Sequence, residues 1–86
     1  MTDLTLYTRR RCHLCDEMKA IVRGAAETWA LTVEEVDVDG DPALAARYGH
    51  DVPVLAMDGH DVARHRIAAG ALQELLRARR AGRQSG

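Results

Sequence analysis

Two cysteines three residues apart, Cys12 and Cys15, stand where the hydrophobic rhythm of the chain changes, and the chain has no others. Before them Leu4 and Leu6 alternate with Thr5 and Tyr7, the period of a strand over residues 3–8. Thr8-Arg9-Arg10-Arg11 then reads as a polar turn. From Cys12 onward Cys15, Met18, Val22, Ala25 and Trp29 recur every three or four residues, the stripe of an amphipathic helix. Gly24 interrupts that helix at a cost of about 1 kcal/mol relative to alanine. The pair therefore sits at the mouth of a helix that follows a strand. There, residues i and i+3 have Cα atoms about 5 Å apart, within disulfide reach.

The rest of the chain supplies the elements that such a unit needs. Residues 31–38 are rich in β-branched side chains and read as a second strand. Its alternation slips at Glu34-Glu35: Leu31 and Val33 share one face, Val36 and Val38 the other. Either a bulge or a strand that starts later accounts for the slip. Asp41 and Pro42 suit the cap and first position of a helix over 43–48, which Gly49 is expected to end in a left-handed conformation. An apolar run over 52–57 predicts a buried strand, and Asp58-Gly59 a hairpin turn into an antiparallel partner over 61–66. Ile67, Ala71, Leu72, Leu75 and Leu76 line a final helix, with Arg77, Arg79 and Arg80 near the negative pole of its dipole.

The order β-α-β-α-β-β-α makes the first two strands parallel, joined by a right-handed crossover, and adds an antiparallel hairpin at one edge. The expected fold is α/β: a four-stranded mixed sheet with helices on both faces. At 86 residues it forms one domain, expected over 1–81 with a frayed tail at 82–86. Its small core is built without phenylalanine.

Other functional classes fall away. A net charge of −1 argues against a dedicated nucleic-acid binder. No apolar run approaches the roughly 18–20 residues of a membrane span. The start Met1-Thr2-Asp3-Leu4-Thr5 lacks the basic and apolar regions of a signal peptide, so the expected location is the cytoplasm. Structural disulfides are rare there, which turns the cysteine pair towards redox chemistry.

Electrostatics distinguishes the two sulfurs. Cys12 meets the unpaired N–H groups and positive pole of the helix, and Arg9, Arg10 and Arg11 add cationic charge just before it. These effects are expected to lower its pKa. A thiol of pKa near 8.5 is about 3% thiolate at pH 7, whereas one near 6 is about 90%. Cys15 lies one turn deeper on the inward stripe, next to Asp16 and Glu17, and is expected to stay protonated. His13 is a solvent-facing neighbour able to steady the thiolate only when protonated. The expected chemistry is attack by Cys12 on a disulfide, then resolution by Cys15. Two other readings remain: a module that keeps this fold but binds without catalysis, and a zinc site completed by His60 and His65. The histidines lie much further from the cysteines than in zinc fingers.

Tyr7-Thr8-Arg9-Arg10-Arg11-Cys12-His13-Leu14-Cys15 resembles the strand end, basic residue and Cys-x-x-Cys run of the glutaredoxin branch of the thioredoxin superfamily. Val36-Asp37-Val38-Asp39 resembles its second strand, and Val52-Pro53 its Val-Pro step. Cys12-His13-Leu14-Cys15-Asp16, Ala46-Arg47-Tyr48-Gly49 and Val52-Pro53-Val54-Leu55 are most similar to a group of short bacterial glutaredoxin-like proteins. The similarity runs through about Arg80. It implies a cis Pro53 beside the cysteines, although the residues alone also allow an ordinary trans start to the strand. It further implies a Val52 backbone that pairs with an extended substrate, and an Arg9 directed at a glutathione carboxylate. Ala63-Arg64-His65-Arg66-Ile67-Ala68 departs from the family's Gly-Gly and acidic residue, so the resemblance does not assign glutathione as the specific reductant. The implied activity is thiol–disulfide exchange by a monomer on a disulfide-containing protein or small thiol. It needs no metal or organic cofactor, only an external thiol reductant, with glutathione one candidate.

Overall fold

The computed structural model describes residues 2–84. Strand β1 (Leu4–Thr8) leads to helix α1 (His13–Trp29) and strand β2 (Val33–Asp37). A single 3-10 turn (Val38–Gly40) precedes helix α2 (Pro42–Tyr48). Strands β3 (Val54–Met57) and β4 (His60–Arg64) and helix α3 (Ala69–Gln84) complete the chain. The sheet order is β2-β1-β3-β4, with β1 parallel to β2 and antiparallel to β3. The expected four-stranded mixed sheet is therefore present, and β1 lies inside it.

Alternation along β1 divides the core. Leu4 and Leu6 join Met18, Val22 and Ala25 of α1, Leu55 of β3, and Leu72 and Leu76 of α3 in the larger cluster. On the opposite face Val38, Tyr48 and Val54 are buried with Tyr7, Leu44 and Val52 packed around them. The Tyr7 and Tyr48 rings stack with centroids 4.4 Å apart, so tyrosine fills volume that phenylalanine often takes elsewhere. The Tyr48 hydroxyl donates to Asp61 Oδ1 at 3.2 Å.

Several boundaries differ from expectation for physical reasons. The slip at Glu34-Glu35 is no bulge, because β1 and β2 pair without a register shift from Leu4↔Val33 to Thr8↔Asp37. The strand starts at Val33, after Leu31. Glu35 occupies the α1 face of this edge strand because Lys19 and Arg23 of α1 supply its counter-charge. A shift does occur between β3 and β4, at Leu55/Ala56. Ile67 precedes α3 and packs on the core from the connecting segment. α3 continues to Gln84, so residues 82–84 of the expected tail are helical; 85 and 86 lie outside the described residues.

Gly49 requires a correction too. Its φ of −54° and ψ of −32° are right-handed, not left-handed. Glycine is required for space instead: a Cβ there would lie 2.4 Å from the Ala45 carbonyl oxygen and 3.0 Å from the Arg9 guanidinium. Gly49→Ala is expected to destabilise the fold by about 1–3 kcal/mol, read as a lower urea midpoint with unchanged slope. The positive φ values at Asp58 (51°) and Gly59 (86°) are those of the expected hairpin turn.

Acidic groups beside β1 and on β2 make the fold sensitive to acid. The Thr32 backbone N–H is the main influence holding the Asp3 carboxyl below its ordinary value of 3.8, and Arg79 assists. A hydrogen bond from Arg23, aided by Lys19, holds Glu35 below 4.5. A carboxyl with a lowered folded-state pKa stabilises the fold above its unfolded pKa and loses that contribution as pH falls through the folded one. Stability is therefore expected to fall from about pH 4.5 downward. Urea midpoints measured between pH 2 and 6 should show a shallower acid limb in an Asp3→Asn/Glu35→Gln double variant.

Candidate active site

The turn after β1 delivers Cys12 to the helix mouth. Cys12 is the N-cap of α1, with φ −114° and ψ 104°, and its backbone oxygen accepts from the Asp16 N–H at 3.1 Å. Its Sγ takes the place that a serine or aspartate oxygen fills in other caps, accepting from the Cys15 N–H at 3.1 Å. Cys15 is 2% exposed and belongs to the buried stripe of α1, whereas Cys12 is half-buried. The two are joined as a disulfide with Cα atoms 5.1 Å apart. One sulfur meets solvent and the other waits beneath it.

A donor N–H aimed at Sγ, together with the helix dipole, favours negative charge on Cys12 once the bond is reduced. The arginines contribute less directly than their spacing suggests. Arg9 forms a two-bond pair with Asp39, Nε to Oδ2 and a terminal nitrogen to Oδ1, both at 3.0 Å. Its other terminal nitrogen donates to the Gly49 carbonyl at 2.9 Å. The hydrogen bonds and charge of Asp39 raise the Arg9 pKa further. Arg9 thus fastens the cysteine turn to the segment after β2 and to the end of α2. The strand register explains the pair: β1 and β2 end in parallel at Thr8↔Asp37, which carries Arg9 towards Asp39. Arg10 and Arg11 are exposed, and Arg11 has a positive φ of 56°. His13 is solvent-facing, its Nε2 3.3 Å from Glu17 Oε1.

The Val52–Pro53 bond is cis. Pairing of Tyr7 with Val54 sets Pro53 at the end of the sheet where β1 runs into the cysteine turn. The Pro53 carbonyl accepts the His65 N–H at 2.8 Å, and the Val52 N–H is directed to Tyr48 O at 3.1 Å. A substrate backbone pairing at Val52 would thus compete with Tyr48 for that N–H. Asp51, which the sequence pattern did not single out, receives Arg64 at 2.6 Å and lies 3.8 Å from His65 Nε2. Among the described residues no group of three or more His, Cys, Asp or Glu side chains is arranged to hold a metal ion, and His60 and His65 do not join the cysteines. No helix among them is long and apolar enough to cross a membrane.

A family model for the glutaredoxin-like domain (DUF836) matches residues 3–77. The chain belongs to this glutaredoxin-like family. A glutaredoxin-like protein of Dictyostelium discoideum, described as a YDR286C homolog, is 32% identical over 71 residues. That alignment covers 76% of the chain and 66% of the relative, just under two thirds of its length. Among solved structures, the structural-genomics protein XcR50 from X. campestris superposes with a TM-score of 0.74 at 37% identity, covering 87% of this chain and 96% of that one. A mutant thioredoxin from Halobacterium salinarum matches with a TM-score of 0.62 at 30% identity, covering 90% of this chain and 74% of its own. The glutaredoxin-like chain therefore has the thioredoxin fold, with a Cys-x-x-Cys pair at the first helix.

Proposed function

We propose that this glutaredoxin-like protein is a thiol–disulfide oxidoreductase in which Cys12 is the nucleophile and Cys15 the resolving thiol. The observation that carries the reading is the N-cap geometry: an accessible Sγ receives a backbone N–H at 3.1 Å above a partner sulfur that is 2% exposed. The Cys12 thiolate attacks one sulfur of a substrate disulfide; that S–S bond breaks, one substrate thiolate departs, and a mixed disulfide forms. Cys15 gives up its proton and attacks Cys12 Sγ, releasing the second substrate thiolate. Two electrons have then passed to the substrate, and the protein holds the Cys12–Cys15 bond. An external thiol reductant restores the dithiol. Metal and organic cofactors play no part in these steps, which a monomer in the cytoplasm suffices to perform.

The test is a redox titration of the intact protein against glutathione and, separately, against a thioredoxin-type dithiol, read by intact mass. A reversible loss of two protons at Cys12 and Cys15 is the expected result. Alkylation of the reduced protein at graded pH should show Cys12 reacting well below the ordinary thiol range of about 8.5. A pair that never oxidises, or a Cys12 that titrates like a free thiol, would overturn the reading.

A further inference from the structure

The surface beside the cysteines continues well past them. Leu14, between the two cysteines, shares one face of α1 with Met18 and Ile21. With Ile67 they line a cavity of about 370 Å³, rimmed by Glu17, His65 and Arg66. A second groove of about 600 Å³ lies between edge strand β4 and α3, where Val62, Ala71, Leu75 and Ala78 face it. Arg66, Ile67 and Ala68 border both hollows, which therefore adjoin along this segment, with Leu14 at the cysteine end of the first.

The charges along these hollows are unequally matched. Glu17 lies near His13 and Asp51 near His65, contacts that are ionic only when the histidine is protonated, and Glu74 is bonded to Arg77. Arg66, at the junction of the two grooves, is exposed and has no carboxylate partner among the described residues. Adjoining apolar hollows with one uncompensated cation at their shared border complement a segment with apolar side chains on either side of a carboxylate.

Resting on the oxidoreductase reading above, we infer that the substrate is a protein segment of this kind. Its reactive disulfide sits at Cys12, its carboxylate meets Arg66, and its apolar side chains enter the two grooves. A small disulfide reaches the sulfurs but leaves the outer groove empty.

Synthetic peptides test this. Each carries one cysteine as a mixed disulfide with thionitrobenzoate, whose release is followed by absorbance. A Leu-Glu-Leu, Leu-Lys-Leu or Ser-Lys-Ser triplet is placed zero to four residues from the cysteine. At the best spacing the reduced protein is expected to release thionitrobenzoate from the Leu-Glu-Leu peptide about tenfold faster than from Ser-Lys-Ser. Arg66→Glu should invert the preference between Leu-Glu-Leu and Leu-Lys-Leu, and Leu75→Glu should shrink the preference for leucine.

Equal rates on every peptide, with normal release from the mercaptoethanol–thionitrobenzoate disulfide, would overturn this inference and leave the oxidoreductase reading intact. No release from any disulfide, the small one included, would remove both. A dimer in sedimentation velocity that Leu75→Glu dissociates would assign the outer groove to a second copy of the chain and also overturn the inference.

Discussion

Cys12→Ser is expected to abolish disulfide exchange, whereas Cys15→Ser should still attack and then stall as a stable mixed disulfide. The asymmetry follows from exposure. Cys12 is half-buried at the helix mouth, and Cys15, at 2% exposure, has no route to a bulky disulfide. Lowering a thiol's pKa raises its thiolate fraction but weakens its nucleophilicity, with a Brønsted coefficient of about 0.4–0.5. The gain in attack is therefore modest. In the second step Cys15 attacks Cys12 Sγ and the substrate thiolate is the leaving group, so the N-cap position acts through the first attack and exposure sets the order of the two sulfurs. Intact mass after incubation with a disulfide peptide reads this directly, as one peptide adduct on Cys15→Ser and none on Cys12→Ser. Equal adducts on both variants would mean that the two sulfurs are interchangeable and that exposure does not order them.

Leu72→Ala is the second large effect, with an expected loss of about 2–5 kcal/mol. Leu72 is fully buried where α3 meets the leucines of β1 and β3, so the deleted methyl groups leave a cavity that flanking strands cannot close. A domain of this size has a total stability of about 4–13 kcal/mol, so one such substitution removes a large share of it. Leu75→Ala, at a half-buried position on the same helix, should cost clearly less. Urea denaturation of both variants reads the difference. Similar midpoints would show that α3 is not seated as described.

The sequence pattern was most informative where one physical influence acted alone. The stripe of α1 places Cys15, Met18, Val22 and Ala25 in the core, and Asp41 caps α2 through the Ala43 N–H at 2.8 Å. Asp58-Gly59 turns the hairpin as its residue types require. Local reading failed where a distant partner decided the outcome. Glu35 occupies a core-side position because Lys19 and Arg23 arrive from another element. Gly49 resembles a helix-terminating glycine, but crowding by Ala45 and Arg9 is what excludes a side chain. Most consequential is Arg9. As a residue type beside Cys12 it suggests a ligand for substrate carboxylate, yet its charge is met by Asp39 and Gly49, thirty and forty positions on. Arg66 is the opposite case: nothing in its local pattern sets it apart from its neighbours, and only the structure shows it exposed with no carboxylate partner among the described residues.

The Arg79 side chain, only 9% exposed, reaches Asp3 at 2.6 Å and Asp58 at 2.7 Å, and Asp3 also holds Thr32. One side chain of the last helix thus latches the entrance of the central strand, the approach to β2 and the hairpin tip into a single knot at the pole of the sheet remote from the sulfurs. Breaking that knot would loosen four segments together while leaving the cysteine turn clamped by Arg9, so the two ends of the sheet are secured by separate arginines and can be weakened one at a time.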